Sequence, residues 1–174
     1  MKLYSKKPLV IIFVVFFTLA IVQIATFTIG HRFILNMSSS EPIGLYRLKP
    51  FTGIPRRGDL ILMTVPVKAQ SYIYGRGWLP EGWGLLKTVG AIPDDTYCIT
   101  GKEMTVDGAF VGPVFESDSK GLPLPRLRGC RKVEADHFLP VATHIKQSFD
   151  GRYFGTVSNS EIKALAVPVF TFKE

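Results

Sequence analysis

The sequence predicts a mainly β domain preceded by a single N-terminal transmembrane helix. Residues 9–29 form an uncharged apolar run, and no sustained apolar period of 3.6 residues follows it. Short runs of β-branched and aromatic residues instead alternate with glycine- and proline-rich turn signals. A length of 174 residues suits one folded domain of ordinary size after such a helix.

The first predicted element is the membrane anchor, residues 9–30. As a helix, its uncharged run would span about 30 Å, the hydrocarbon thickness of a bilayer. A cleaved signal peptide is the alternative, but its apolar core would be shorter, and no convincing small-x-small cleavage site follows. Three lysines and no acidic residue precede the run, so the positive-inside rule predicts a cytoplasmic N-terminus over residues 1–8. Residues 31–174 then form the predicted outer domain.

Six segments of the outer domain have the composition of β-strands. The strongest turn signal is Asp107-Gly108, because both residues tolerate the positive φ angles of a tight type I′ hairpin turn. Glycine- and proline-rich stretches at 75–84 and 121–125 predict longer loops. The predicted strands are residues 59–67, 97–100, 104–106, 109–111, 137–143 and 164–172.

The charge of the outer domain is mild. Residues beyond 30 include 18 basic and 14 acidic side chains, a net charge of +4. The basic residues are scattered and no nucleic-acid-binding module accompanies them, so nucleic acid is not predicted as a partner. Next to an anchor, such a charge suits contact with anionic membrane lipid.

The two cysteines, Cys98 and Cys130, belong to no C-x-x-C pair. Zinc and thioredoxin chemistry are therefore not predicted, and the sequence also lacks a P-loop and a G-x-G-x-x-G motif. We predict neither a metal nor a cofactor. In an exported compartment the two cysteines can form one disulfide, worth about 3–4 kcal/mol in the chain-entropy model. Two reduced, buried cysteines are the alternative.

The residues that could carry chemistry are serines and a lysine. The chain has no G-x-S-x-G elbow and no H-E-x-x-H motif, and its three histidines are scattered. Residues 38–40 are three serines close to the anchor, and Lys87 lies inside the apolar stretch 83–92. Burial there would lower the Lys87 pKa from about 10.4, and a neutral lysine can take a proton from a serine hydroxyl. A polar spacer and a snorkelling lysine are the alternative.

Several blocks of sequence, taken in order, resemble the type I signal peptidases and, within that family, the conjugative-transfer branch of TraF-type serine peptidases. The first block is the pattern Asn-x-Ser/Thr-x-Ser-x-Pro-x-Gly-Leu-Tyr, which begins at Asn36 and ends at Tyr46. The second is an apolar strand with a lysine before a Pro-Gly-Asp-like turn. This second block is residues 85–95. The remaining blocks are residues 148–155, 58–59, 157–162 and 166–172.

The resemblance implies a serine-lysine dyad, with Ser40 as nucleophile and Lys87 as general base. Ser40 stands two positions before Pro42, as in the conjugative branch. Signal peptidases proper have one more residue before that proline, which would select Ser39 instead. Ser38 falls where the family supplies a hydroxyl to the oxyanion hole, and such a donor lowers the barrier by about 3 kcal/mol.

The resemblance also assigns roles in the late block. Ser148 falls where a serine hydroxyl supports the lysine, and Asp150 with Arg152 is expected to form a structural ion pair rather than to be catalytic.

Two residues depart from the family pattern. Asp94 replaces the usual turn glycine, which aspartate can do at positive φ, and Gly151 replaces a common serine.

Glu41 is the least expected residue of the first block, because it follows Ser40 directly. A carboxylate near Lys87 would raise the lysine pKa and so oppose its use as a base. We therefore expect Glu41 to point away from the site or to be solvated.

The function that the resemblance implies is a membrane-anchored serine endopeptidase that processes exported precursors. It would lie in the bacterial inner membrane as a single-pass protein with its catalytic domain in the periplasm. A conjugative pilin precursor, bound as an extended strand, is the expected substrate. A housekeeping signal peptidase and a non-enzymatic anchored β domain of a secretion or conjugation complex are the alternatives.

Overall fold

The computed structural model describes residues 7–30, 32–142 and 144–172, with the side chains of residues 10–24 in the first helix. Two further helices and eleven strands follow that helix. In chain order the elements are α1 (Lys7–Gly30), β1 (Phe33–Asn36), β2 (Gly44–Pro50), β3 (Leu60–Met63), α2 (Val67–Ile73), β4 (Leu85–Ala91), β5 (Thr96–Thr100), β6 (Glu103–Val106), β7 (Ala109–Pro113), β8 (Gly129–Lys132), β9 (His137–Val141), α3 (Gly151–Phe154), β10 (Val157–Ser158), a 3₁₀ helix (Asn159–Glu161) and β11 (Ile162–Thr171).

The N-terminal helix α1 forms where the apolar run predicts one. Its large apolar side chains between residues 10 and 24 are exposed. Among the described residues, no helix has both the length and the apolar character needed to cross a membrane. The membrane-spanning role predicted for residues 9–30 is therefore not confirmed. Of the predicted cytoplasmic segment, residues 1–6 lie outside the described part of the chain.

The rest of the chain is mainly β, as predicted, and forms two sheets. The larger sheet has seven strands in the order β1-β2-β11-β3-β4-β9-β10. The smaller sheet has four strands in the order β7-β6-β5-β8. All strand pairs are antiparallel, and β11 is long enough to pair with both β2 and β3. The strand β1 is therefore an edge strand of the larger sheet.

The predicted strands are found, with one correction. The strand predicted over residues 59–67 ends at Met63, and the helix α2 begins after Pro66. Proline has no N–H to donate to a sheet but fits the start of a helix, where the first N–H groups have no partner inside the helix. At the predicted hairpin, Asp107 and Gly108 have φ angles of 48° and 81°, as a type I′ turn requires.

Three clusters of buried apolar residues hold the sheets together. One surrounds Ile61 and Met63 of β3, and a second surrounds Tyr97 and Met104 of the smaller sheet. Complete burial of side chains of this size stabilises the fold by about 1.5–3 kcal/mol each. The third cluster joins β2, β4 and β11 through Tyr46, Leu86 and Ala166. It packs the strand that follows the serine-rich segment against the strand that carries Lys87.

The smaller sheet contains the two cysteines. Cys98 of β5 and Cys130 of β8 are register partners in neighbouring strands, and their sulfur atoms are joined in a disulfide. This bond links the edge strand β8 covalently to the centre of the sheet.

Candidate functional site

The serine-rich segment is the connection between the paired strands β1 and β2. The two strands are antiparallel and in register from Phe33 with Arg47 to Asn36 with Gly44. The chain leaves β1 at Asn36 and re-enters the sheet at Gly44. Residues 37–43 between them contain Ser40, the candidate nucleophile, and are called the nucleophile loop. Gly44 lies so close to β11 that a Cβ atom there would stand 2.1 Å from the Phe170 carbonyl oxygen. Glycine at this position therefore lets the loop return directly into the sheet.

The buried side chain of Asn36 organises the nucleophile loop. Its Nδ2 donates to the carbonyl oxygens of Ser38, Glu41 and Pro42 at 2.9–3.1 Å. Its Oδ1 accepts from the backbone N–H and from the hydroxyl of Ser38. Sequence reasoning gave Asn36 a place in the motif but no role. Its position at the last residue of a strand, before three serines, is the signal that could have indicated a loop-organising side chain.

Ser38 and Ser40 are hydrogen-bonded to each other, with their Oγ atoms 3.2 Å apart. The single hydroxyl hydrogen of Ser38 goes to Asn36 Oδ1 at 2.9 Å, so Ser40 must be the donor to Ser38. Ser38 therefore cannot donate to an oxyanion in this arrangement and would first have to release Asn36. Ser39 is exposed, whereas Ser40 is half-buried.

Lys87 is buried in the middle of β4, with only 3% of its surface exposed. Its Nζ donates to Ser148 Oγ at 2.8 Å. The structure thus brings together Lys87 and Ser148, which are 61 residues apart in the sequence. In the described residues no hydrogen bond joins Lys87 to Ser40, and Ser40 Oγ is bonded to Ser38.

The surroundings of Lys87 favour its neutral form. Burial lowers the Lys87 pKa from its ordinary value, because a buried ammonium loses its hydration. The negative charges of Asp150 and Glu41 oppose this effect, and the positive charge of Arg152 adds to it. The net result is a pKa below the ordinary lysine value. Lys87 is therefore a candidate for a proton acceptor.

Asp150 and Arg152 form a fully buried ion pair next to Lys87. The Arg152 guanidinium donates to both carboxylate oxygens of Asp150, at 2.9 and 2.8 Å. Its remaining N–H groups donate to the carbonyl oxygens of Pro113, Lys146 and Ser148. Arg152 therefore holds the segment that carries Ser148 against β7 of the smaller sheet. The side chain positions a residue of the site without facing the cavity described below.

Gly151 begins α3 at a place where only glycine fits. A Cβ atom there would stand 2.6 Å from the carbonyl oxygen of Pro140 and 2.7 Å from Leu139 Cδ1. The short helix is therefore pressed directly against β9, which explains the departure from serine at this position. At the other departure, Asp94 has a φ angle of 72°, in the left-handed region that was expected.

Of the two alternatives expected for Glu41, solvation is wrong. Its side chain is 2% exposed and accepts a hydrogen bond from Thr88 Oγ1 at 3.1 Å, which directs the carboxyl to Thr88. Burial raises the Glu41 pKa, and the Thr88 hydrogen bond and the Lys87 charge oppose that rise. The carboxyl can be buried because Thr88, directly after Lys87 in β4, supplies a donor. Sequence reasoning also missed Thr88.

The nucleophile loop and β4 face one cavity of about 670 Å³. Its polar wall includes Ser38, Ser39, Ser40, Lys87 and Ser148. The rest of the wall is mostly apolar and aromatic, as is typical of ligand cavities. The apolar lining consists of Ile34, Leu35, Met37, Ile73, Trp78, Leu79, Trp83, Leu85, Leu86, Ile145 and Phe149.

Comparison with known proteins identifies the family. The family model described as signal peptidase, peptidase S26, matches residues 7–171. A conjugal transfer protein TraF of Agrobacterium tumefaciens (strain 15955) is 34% identical over 85% of this chain and 86% of its own length. A second conjugal transfer protein TraF, from Agrobacterium fabrum, is 33% identical over 82% of this chain and 84% of its own. A plasmid transfer protein TraF of Escherichia coli is 29% identical over 79% and 82% of the two chains.

Among solved structures, a signal peptidase I from Enterococcus faecalis V583 is similar to this chain. The match covers 66% of this chain and 98% of the other, with 16% identical residues and a TM-score of 0.40.

Proposed function

Because this chain belongs to the signal peptidase family, peptidase S26, we propose that it is a serine endopeptidase with a Ser40-Lys87 dyad. One observation carries the proposal. Half-buried Ser40 and buried Lys87 line the same cavity, and the surroundings of Lys87 lower its pKa toward the neutral form that a general base needs. A lysine merely snorkelling from an apolar surface would keep its ammonium in water.

In the proposed reaction, neutral Lys87 takes the proton of the Ser40 hydroxyl while Ser40 Oγ attacks the scissile carbonyl carbon. Lys87 then passes that proton to the leaving amine, which departs with the C-terminal fragment. Water, deprotonated by Lys87, then attacks the acyl carbonyl carbon, and Lys87 returns that proton to Ser40 Oγ as the acyl–oxygen bond breaks. In this structure the Ser40 hydroxyl donates to Ser38, and in the reaction it must donate to Lys87 instead. We propose that substrate binding causes this change of partner, since catalytic hydrogen bonds often tighten only in the substrate complex.

Supporting roles in this scheme belong to Ser148 and Ser38. Ser148 Oγ accepts from Lys87 Nζ and so orients the nitrogen within the cavity. Ser38 stands beside Ser40 and would donate to the oxyanion once its hydroxyl turns from Asn36. The half-buried position of Ser40 and its bond to Ser38 favour Ser40 over exposed Ser39 as nucleophile.

We propose that the substrate is an exported precursor polypeptide bound as an extended strand. Within the described part of the chain the edge strand β1 pairs only with β2, and its residues Ile34, Leu35 and Asn36 line the cavity. A peptide added to such an edge would gain main-chain hydrogen bonds beside Ser40. The relatives carry the names conjugal transfer and plasmid transfer protein, and within that setting we propose a conjugative pilin precursor as the substrate.

We also propose that α1 anchors the protein in the bacterial inner membrane, with the β domain in the periplasm. The support is the uncharged run of residues 9–29 and the basic residues before it. Anionic lipid would then be a further contact of the domain. Retention of the full chain in the membrane fraction after alkaline carbonate extraction tests the anchor. Release into the supernatant would contradict it.

The test of the proposed activity is processing of a co-expressed pilin-type precursor. We expect Ser40→Ala and Lys87→Ala each to abolish cleavage, and the double variant to be no worse than either, since the two residues act as one unit. Ser39→Ala is the matched control and should retain activity. Immunoblotting of membranes establishes that all variants are equally abundant.

Other outcomes identify the alternatives. Loss of cleavage in Ser39→Ala with an active Ser40→Ala would move the nucleophile by one residue within the same family. Broad cleavage of unrelated exported precursors would indicate a housekeeping signal peptidase. Wild-type protein that neither cleaves a precursor nor reacts with a serine-directed acylating probe would indicate a non-enzymatic domain.

A further inference from the structure

Glu41 is a buried acidic group that the proposed reaction does not use. Its backbone carbonyl accepts from Asn36 Nδ2 at 3.0 Å, and its Oε1 accepts from Thr88 Oγ1 at 3.1 Å. Both ends of the residue are therefore fixed, one within the nucleophile loop and the other on β4. The partners Glu41 and Thr88 are 47 residues apart in the chain.

The position of this hydrogen bond relates it to both reacting side chains. Glu41 follows Ser40, and Thr88 follows Lys87. The bond thus joins the residue after the nucleophile to the residue after the base. Successive side chains of a strand point to opposite faces, so Thr88 can hold Glu41 while Lys87 faces the cavity.

We propose that Glu41 is a positioning residue that fastens the nucleophile loop to β4 and fixes Ser40 relative to Lys87. The proposal rests on the proposed function, because the distance that it fixes matters only if these two residues react. Misplacement of reacting groups by about 1 Å can reduce a rate by two orders of magnitude. A side-chain bond between the two segments opposes such a displacement.

The carboxyl also contributes charge to the site. Facing Glu41 are Lys87 and Thr88 of β4, Tyr46 of β2 and His144 in the segment after β9. Asp150 and Arg152 also act on Lys87 through their charges. When ionised, Glu41 raises the Lys87 pKa against the effect of burial. Glu41 therefore has two separable actions, a tether through its oxygen and an electrostatic effect through its charge.

Four variants of the full chain in detergent separate these actions. Glu41→Gln keeps an oxygen that can accept from Thr88 and removes the charge. Thr88→Val removes the tether and keeps the acid, whereas Thr88→Ser is the matched control that keeps the donor. Glu41→Ala removes both. Each is measured in two ways, by the pH profile of kcat/KM for a precursor peptide and by NMR titration of the labelled Lys87 side chain.

We expect Glu41→Gln to titrate Lys87 at lower pH than the wild type and to shift the rising limb of the rate profile in the same direction. Thr88→Val should lower the plateau of kcat/KM by about fivefold, the effect of one hydrogen bond, mainly through kcat. Thr88→Ser should retain wild-type values, and Glu41→Ala should combine both effects.

An unchanged plateau of kcat/KM in Thr88→Val would overturn the proposed positioning role. Superimposable Lys87 titrations in wild type and Glu41→Gln would overturn the electrostatic action. A wild-type protein that cleaves nothing would contradict the proposed function instead. The Lys87 titration does not depend on cleavage, so it still decides whether Glu41 acts on the lysine. A fall in Thr88→Val activity matched by an equal fall in Thr88→Ser would also count against the tether.

Discussion

Replacement of Arg152 by methionine tests whether the buried ion pair holds the site together. Arg152 and Asp150 are 1% and 0% exposed, and the guanidinium directs hydrogen bonds to Asp150 and to three carbonyl oxygens. Removing one partner of a buried pair leaves an uncompensated charge and destabilises a protein by about 3–5 kcal/mol. For a domain of this size the melting temperature should fall by roughly 10 °C or more.

The measurement is thermal unfolding of the full chain in detergent, followed by circular dichroism. Arg57→Met is the matched control, because Arg57 also bridges two aspartates, Asp95 and Asp107, but is 46% exposed. Exposed pairs contribute little, so this control should melt close to the wild type. The double variant Asp150→Asn with Arg152→Met should regain part of the loss, since no unpaired charge remains. An Arg152→Met protein as stable as the Arg57→Met control would refute the reasoning.

Three further predictions concern pH, packing and the disulfide. Cleavage should fall as the pH drops through the Lys87 pKa, because only the neutral amine accepts a proton; a profile of kcat/KM that falls with rising pH would contradict this. Gly151→Ser should destabilise the protein by about 1–3 kcal/mol, because its Cβ meets the Pro140 carbonyl oxygen, and an unchanged denaturant midpoint would contradict that contact. Replacing Cys98 and Cys130 by serine should lower stability by about 3–4 kcal/mol for a sequence separation of 32. Reductant should then have no further effect on the melting temperature of that variant, whereas it lowers that of the wild type.

The parts of the fold that could be predicted are those encoded locally. The Asp107-Gly108 turn depends on two adjacent residues, and its flanking strands were predicted with it. The strand β8 could not be found, because all four of its residues are exposed and no burial pattern marks them. This strand forms because it pairs with β5, whose residues lie about 30 positions earlier in the chain. The helix α2 was missed because β-branched Val67 extends an apolar run across the proline that ends the strand.

The candidate site likewise has residues that could be predicted from their neighbours in the sequence and residues that depend on distant partners. Lys87 stands out in the sequence because its own neighbours are apolar, and its burial follows from them. The environment of Glu41 depends on Thr88, and that of Arg152 on Pro113, which lies 39 residues away. Such pairings are set by the curvature and packing of the sheets. The carboxylate of Glu41 was therefore expected to point away from the lysine or to be solvated, and solvation is wrong because the hydroxyl of distant Thr88 makes its burial possible.

The hydrogen bonds of Arg152 also bear on the order in which the chain folds. The Ser148 segment is held through contacts with β7, so it can be placed only after the smaller sheet has docked onto the larger one. Long-range contacts of this kind form late, because closing the intervening loop is unfavourable until the contacts compensate for it. A nascent or partly folded chain would carry Ser40 and Lys87 without the group that orients the lysine. The proposed peptidase activity would thus require complete folding of both sheets.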